Sequence, residues 1–463
     1  MADLTVTATP IPGLLLLALP VHGDNRGWFK ENWQRAKMTA LGLPDFGPVQ
    51  NNVSYNASVG ATRGFHAEPW DKYVSVAAGK IFGAWVDLRE GPTFGTVFTT
   101  VMGPDAAVFV PRGVGNAFQT LEQGTVYSYL VNEHWSAEAK ADYLFVNLAD
   151  EQLAVDWPLP LVDAEMSQAD RDHRRLAEVR PMPAKPVVIV GGNGQVGRAL
   201  RRRLPGAVAT DRSTLDLTDP DSVAAYPWRE VGAIVNAAAW TAVDAAETPD
   251  GRRDCWRANV DGIAALVRVA AEHRLPLVHL SSDYVFDGTA EWHTEDEPLS
   301  PLGVYGQTKA AGDVLVGTLP EHWVLRTSWV IGDGGNFVRT MASLADRGVA
   351  PSVVDDQWGR LTFADDLARA VEHLLTTRPA PGVYNVSCDG PVQSWAEIAA
   401  AVYAARGKDP AVITPVSTET YGAGKALAPR PRHSALDLTK IIASGFAPAD
   451  GPAALADYLA ALD

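Results

Sequence analysis

Two hydrophobic rhythms divide this chain. In the first 175 residues, apolar runs of strand length recur between turn residues: YVSVAAG (73–79), KIFGAWVDL (80–88), TVFTTVM (96–102), AAVFVP (106–111) and VYSYLV (126–131). Ala78-Gly79, Gly91-Pro92, Gly103-Pro104 and Arg112-Gly113 punctuate them. Short strands at this spacing predict an all-β sandwich or barrel. The helical pattern in this part is the short WQRAKMTALG, 33–42. From Pro186 onward, strand and helix patterns alternate, which predicts a parallel sheet covered by helices. Between the two lies RDHRRLAEVRPMPAKP (171–186), charged and then proline-rich. Pro181, Pro183 and Pro186 suit a stiff, extended connector. The expected organisation is a β domain at 1–175, a linker at 176–186 and an α/β domain at 187–463.

The α/β part opens on VVIVGGNGQVGRAL (187–200). Val187 to Val190 read as a buried strand, and Gly191, Gly194 and Gly197 lead into a helix. Glycines so placed allow a tight turn and let backbone approach a pyrophosphate, whose charge the helix N-terminus stabilises. Asp211 follows at the end of AVAT, where an acidic residue binds the adenosine ribose. The segment is therefore expected to bind a dinucleotide. Its candidate contacts are Gly191, Gly194, Gln195, Val196, Gly197, Asp211, Arg212, Asp216, Ala237 and Ala238, together with Tyr305 and Lys309. Further on, LPLVHLSSDYVF (275–286) carries Ser281, Ser282 and Asp283 at a strand's C-terminal end, where open α/β sheets bind ligands. VYGQTKAAGDVLV (304–316) is a helical pattern that puts Tyr305 and Lys309 on one face. Alone, such a pair fits an amphipathic surface helix. After a glycine fingerprint and this strand end, it reads as the proton-donor apparatus of a short-chain dehydrogenase. Ser282 would bond the substrate oxygen, Tyr305 would supply a proton, and Lys309 would lower the phenol's pKa and hold the nicotinamide ribose.

Composition narrows the partners. The apolar fraction of 47% is ample for sizeable cores. A net charge of −16 argues against a nucleic-acid or anionic-membrane binder. Cys255 and Cys388 are far apart and suggest no disulfide, which fits a cytoplasmic protein. Leu14 to Leu19 is too short to span a bilayer, and neither signal peptide nor transmembrane segment is expected. TEDEP (294–298) reads as a solvated loop. No histidine pair has the spacing of a zinc motif, and no metal is expected.

In the β half, His66, Lys72 and Tyr129 stand out, although each alone also fits a surface or satisfied core residue. The run GDNRGWFKE (23–31), VQNNVS (49–54), RGFH (63–66), KYVSVAAGKIFGAWVDLREGPTFG (72–95), VPRGVGNAF (110–118) and VDWPLP (155–160) resembles dTDP-4-dehydrorhamnose 3,5-epimerases, which are cupin-type jelly rolls. The resemblance covers most of residues 10–172. It implies that His66 removes protons at sugar C3 and C5, that Asp170 in MSQADR orients it, and that Lys72 and Tyr129 are catalytic. It also implies that Arg63 holds substrate phosphate and that Gln50 and Asn52 line the pocket. Chemistry agrees: a proton beside a ketone is acidic, and inversion needs a base on one face and an acid on the other. Lys72 would stabilise the enolate oxygen by charge. Asn116 stands where the family usually has a histidine, and the loop between His66 and Lys72 is short. The nucleotide, the sugar and the number of centres inverted therefore stay open.

The α/β half is similar to dTDP-4-dehydrorhamnose reductase, an extended short-chain dehydrogenase. The similarity rests on GGNGQVG (191–197), VNAAAWTAVDAAE (235–247), SSDYVFDG (281–288), PLGVYGQTK (301–309), LRTSWVIG (325–332), NF (336–337), DDQWGR (355–360) and RPRHSALD (430–437). Ser282 keeps the hydroxyl of the family's threonine. Asp283, Arg326, Trp329, Asn336 and Arg430 match positions near its substrate pocket. Some members are metal-bridged dimers through a glutamate in the first helix; Ala199 occupies that position here, so that bridge is not carried over. Asp211 favours NADH and Arg212 favours NADPH; NADPH is expected, with NADH the alternative. The chain thus reads as a fused epimerase and reductase acting in turn on a dTDP-4-keto-6-deoxy sugar, with a homodimer through the jelly roll. The alternatives are a different 6-deoxy sugar product, or one half acting as a non-catalytic regulatory module.

Overall fold

The computed structural model describes residues 3–462. The chain separates into two compact units between Ala184 and Lys185.

The first unit holds two antiparallel sheets. Across one, the strands run in the order Thr5–Ala8, Leu15–Ala18, Ala106–Val110, Lys72–Ala78, Thr125–Val131 and Gln50–Asn56. Across the other, the order is Leu144–Phe145, Thr62–Ala67, Val114–Thr120, Ile81–Asp87 and Val97–Met102. All five strands expected from the apolar runs are present. Alternation along the strands makes the core. Val74, Val76, Val108 and Tyr127 of the first sheet pack with Ile81, Trp85, Met102 and Phe118 of the second. The opposite face of Lys72–Ala78 is also covered, with Tyr73 packing among Met38 and Phe46 beside the helix Arg35–Ala40.

The same alternation places the polar residues. Lys72 continues the inward row of Val74 and Val76, and Tyr129 continues that of Tyr127. Asn116 pairs with inward-facing Trp85 on one side and with His66 on the other, so His66 also faces inward. Arg63 and His66 are three residues apart and would face opposite ways in a regular strand. A register shift between Asn116 and Phe118, which pair with His66 and Arg63, turns both inward.

The second unit is built on a parallel sheet in the order Val208–Thr210, Val187–Val190, Ala233–Asn236, Leu277–Leu280, His322–Thr327 and Gly382–Val386. The order reverses at Val187–Val190, the topological switch where open α/β sheets bind ligands. Both faces are buried. Ile189, Val235, Val278 and Leu325 pack on one side, and Val188, Ile234, Leu277 and Val324 on the other. A third cluster gathers Val338, Met341, Ile398, Val402 and Leu455 from the helices Phe337–Asp346, Trp395–Ala405 and Gly451–Ala460. The capping box of Ser394 and Glu397 starts the middle helix.

The loop expected at 294–298 is present and exposes Thr294, Asp296 and Pro298, but Glu295 and Glu297 are anchored rather than solvated. Glu295 Oε1 accepts the Asn385 N–H at 3.0 Å, its carbonyl accepts from Arg326, and Glu297 meets buried His293 at 2.8 Å. Long-range partners that leave no mark on local composition anchor this acidic run. Both cysteines are free and buried. Among the described residues, no helix is long and apolar enough to cross a membrane.

Candidate active sites

In the first unit, the inward polar residues converge at one end of the inter-sheet space. His66 Nε2 lies 2.9 Å from Asp170 Oδ1. Asp170 is on the short helix Gln168–Asp172, capped by Ser167, whose Oγ donates to Asp170 Oδ2 at 2.8 Å. Burial raises the Asp170 carboxyl, but the hydrogen bonds from His66 and Ser167 outweigh it and hold the group below its ordinary value. With Nε2 engaged, Nδ1 is the ring nitrogen left for a ligand. Phe145 packs edge-on against His66, and His173 stacks on Phe145. Burial, then the nearby His66, depresses His173. Among the described residues, His66, Asp170 and His173 bring donor atoms within 4.8 Å of one another, close enough to share an ion.

Lys72 is buried, and its Nζ sits 2.8 Å from Glu68 Oε1 and 5.9 Å from the centre of the Tyr129 ring. Glu68 also accepts from Trp70 Nε1 at 2.6 Å. Sequence reasoning missed Glu68; its signal was its place two residues beyond His66 in the short loop. Burial, with the Glu68 charge, pushes the Tyr129 phenol up, while Arg63 opposes that. Arg63 donates to Asn56 Oδ1 at 3.2 Å. Gln50 Nε2 donates to Asn52 Oδ1 at 2.8 Å. Gln50, Asn52, Glu68, Trp70, Tyr129 and Tyr143 line a cavity of about 290 Å³. Asn116 Oδ1 accepts from Tyr127 Oη at 3.0 Å.

In the second unit, the glycine run forms a tight cradle. Gly191 has φ +82°, and a Cβ there would lie 2.7 Å from the Ala238 nitrogen. A Cβ on Gly197 would strike the Gly191 carbonyl, and one on Gly192 would reach 2.7 Å from the Ala209 side chain. Gly194 caps the helix Gln195–Arg203 with no side chain on its first N–H groups, which leaves them for an anion. Ala237 N–H bonds the Val190 carbonyl, and Ala238 N–H bonds Asn236 Oδ1. These features fit a pyrophosphate at the switch point. Asp211 is already engaged: Oδ1 accepts from Ser213 N and Oγ, and Oδ2 from Asn193 at 2.9 Å. Asp216 Oδ1 is likewise held by Thr218. Arg212 lies between them in sequence.

Ser282 follows the strand Leu277–Leu280, and its Oγ donates to Asp283 Oδ1 at 2.9 Å. Tyr305 and Lys309 stand on the helix Val304–Val316. Lys309 Nζ donates to the Leu280 carbonyl at 2.6 Å, at the same strand end. Burial drives Lys309 down to about 8 and Asp283 up to about 6. Tyr305 departs from expectation: burial, then the Asp283 charge, raises its phenol rather than Lys309 lowering it. Asn259, absent from the sequence reading, lies in a π-helical turn, Arg257–Asp261. Its amide donates to Thr308 Oγ1 at 3.0 Å and accepts the Trp240 N–H at 2.8 Å, tying the Tyr305 helix to the loop after Ala233–Asn236.

The remaining candidates are more dispersed. Arg430 pairs with Asp244 at 2.9 Å, and Tyr284 packs edge-on against Tyr305. Trp329, at φ +47°, stacks on Trp395 with centres 3.8 Å apart. Arg326 forms a buried pair with Asp313. Asn336 is committed to the scaffold: it caps the helix Phe337–Asp346, and its amide donates to the Gly332 carbonyl and Tyr458 Oη.

Comparison with known proteins assigns each unit. A family model described as "dTDP-4-dehydrorhamnose 3,5-epimerase" matches residues 8–178, and one described as "RmlD substrate binding domain" matches 185–463. A Streptococcus pyogenes protein called an RmlC homolog is 53% identical over 38% of this chain and 90% of its own length. The dTDP-4-dehydrorhamnose reductase of Aggregatibacter actinomycetemcomitans is 36% identical over 58% of this chain and 96% of its own. The structure of Bacillus anthracis dTDP-4-dehydrorhamnose reductase in complex with NADP matches with a TM-score of 0.54 at 29% identity, covering 60% of this chain and all of that one. The chain therefore belongs to two families in succession, the RmlC-type dTDP-4-dehydrorhamnose 3,5-epimerases and the RmlD-type dTDP-4-dehydrorhamnose reductases.

Proposed function

We propose that this chain is a bifunctional enzyme of dTDP-L-rhamnose biosynthesis. Residues 1–175, a cupin-type jelly roll, epimerise dTDP-4-dehydro-6-deoxy-D-glucose at C3 and C5. Residues 187–463, an extended short-chain dehydrogenase fold, reduce the C4 ketone, with 176–186 as the linker, most of which packs with the first unit as far as Ala184. The observation that supports this reading is that His66 sits 2.9 Å from Asp170 and Lys72 lies beside Tyr129 in one unit, while in the other Ser282 hydrogen-bonds Tyr305 and Lys309 bonds the Leu280 carbonyl at the same strand end.

His66 Nδ1 takes the proton beside the ketone, and Asp170 steadies the imidazolium that forms. Lys72 faces the enolate oxygen, with Glu68 fixing its ammonium. Tyr129 returns a proton from the other face. Gln50, Asn52 and Arg63 hold the nucleotide sugar.

The glycine cradle and the open N-terminus of Gln195–Arg203 fit a dinucleotide. NADPH, when bound, supplies the hydride. The Asp211 carboxylate is turned into its own loop, which supports a 2′-phosphate held by Arg212 over a free ribose. Tyr305, held protonated at neutral pH, gives its proton to the C4 oxygen while Ser282 bonds that oxygen. Asp283, Trp329 and Arg430 line the sugar side.

Free, buried cysteines support a cytoplasmic enzyme. The edge strand Gln50–Asn56, with Val53 and Tyr55 exposed, supports a homodimer through this unit. One observation favours a second reading: Asn116 bonds Tyr127 where the family usually has histidine, which suits a different 6-deoxy sugar.

The test is proton NMR of the reaction in deuterated water. The reading predicts deuterium at both C3 and C5 and an L-rhamno product. Deuterium at one centre supports the second reading, and none removes the epimerase assignment.

A further inference from the structure

Asn236 and His279 lie beneath Lys309, both 1% exposed, and neither has a part in the mechanism above. The Ala238 N–H donates to Asn236 Oδ1 at 3.1 Å. That bond fixes the amide, so Asn236 Nδ2 is the donor to His279 Nδ1, 3.0 Å away. A neutral imidazole that accepts on Nδ1 carries its hydrogen on Nε2. Burial, then the nearness of Lys309, keeps His279 neutral. His279 Nε2 is 3.4 Å from Lys309 Nζ.

The direction of the chain is thus set at its start by a backbone N–H, which can only donate. Every link passes a hydrogen forward, and the last N–H points at Lys309 Nζ. An amine has a lone pair to receive it; an ammonium has none. The chain is satisfied throughout only when Lys309 is neutral.

We propose that Asn236 and His279 are positioning residues that bias Lys309 toward releasing a proton, so that Lys309 refills Tyr305 after the phenol has protonated the substrate oxygen. The inference rests on the reductase reading above. Lys309 Nζ bonds His279 and the Leu280 carbonyl rather than Tyr305 directly, so the proton passes through a bridging hydroxyl: an Nζ–H bond of the ammonium breaks, the bridging oxygen takes that proton and gives up its own, and the Oη–H bond of Tyr305 forms. Lys309 is left as an amine whose lone pair takes the His279 Nε2–H. Other groups act against the bias. Asp313, one turn along the same helix, and Cys255 on Pro249–Trp256 both favour the charged lysine. Arg326, from His322–Thr327, blunts Asp313 by pairing with it at 3.0 Å. Tyr305 lies one turn earlier on the helix.

The first test reads the tautomer directly. Long-range proton–nitrogen spectra of the full chain, labelled at histidine nitrogen, are assigned for His279 by the signals missing in His279→Gln. The Nε2–H form is expected from about pH 6 to about pH 9. The Nδ1–H form or an imidazolium would overturn the proposal. The second test is the alkaline fall of reductase kcat. In His279→Leu, Lys309 keeps its proton to higher pH, so the fall moves upward by about one pH unit. In His279→Gln, whose amide preserves the order of acceptor and donor, it stays with the wild type, and KM for the sugar changes in neither. Leu and Gln variants with superimposable profiles would also overturn it. A chain that reduces no dTDP-4-keto sugar at all contradicts the reductase reading instead, and the spectra still decide the tautomer.

Discussion

Asp283, bonded to Ser282, shows how one carboxyl links stability to the candidate site of the second unit. Burial raises its pKa from 3.8 to about 6. The folded chain then binds this proton more tightly than the unfolded chain, so stability falls as pH rises from 3.8 to about 6. Asp283→Asn should therefore stabilise the second unit at pH 7 by up to about 3 kcal/mol and have little effect at pH 4. Calorimetry at the two pH values checks this; equal shifts at both would contradict it. Asp170 has the opposite sign, its carboxyl being held low by His66 and Ser167 despite burial. Asp170→Asn keeps the shape but loses the charge that supports the imidazolium. It should slow deuterium wash-in at C3 and C5 by about a hundredfold or more while NADPH oxidation on pre-epimerised substrate is unchanged. Residues of this kind were legible where a motif named them, as with His66, Tyr305 and Lys309. Glu68, Asn236, Asn259 and His279 were not. Each is a polar residue in an apolar or irregular setting, and its partner lies on a different element.

At the scale of elements, the glycine turn and the sheet alternation do the positioning. Gly191→Ala combines a positive φ with a clash against the Ala238 backbone. It should weaken NADPH binding, measured by fluorescence titration, by at least about tenfold. Deuterium wash-in at the sugar should be untouched. Unchanged NADPH binding would place the cofactor elsewhere. The apolar strands of both units could be read from the sequence because burial on one or both faces leaves a periodic trace. Gln50–Asn56 could not: its inward row lines the cavity and its outward row is exposed, so neither face is consistently apolar. Thr62–Ala67 was hidden by its glycine and by the bulge that turns Arg63 and His66 to the same side. Within the exposed loop 294–298, Glu295 could not be told from its solvated neighbours because its anchors, Arg326 and Asn385, are remote in sequence.

For the whole molecule, the central claim is that two catalytic units act in series on one sugar. The change from β runs to strand–helix alternation made two units legible, and the structure divides them between Ala184 and Lys185. Two sites that handle protons independently should fail independently. The direct measurement follows NADPH absorbance with dTDP-4-keto-6-deoxyglucose, using the full chain, His66→Ala and Tyr305→Phe. Oxidation by the wild type that stops in both variants is the predicted result. Oxidation at the full rate in His66→Ala would contradict it, because the reductase would then accept the unepimerised ketone and the first unit would have another role.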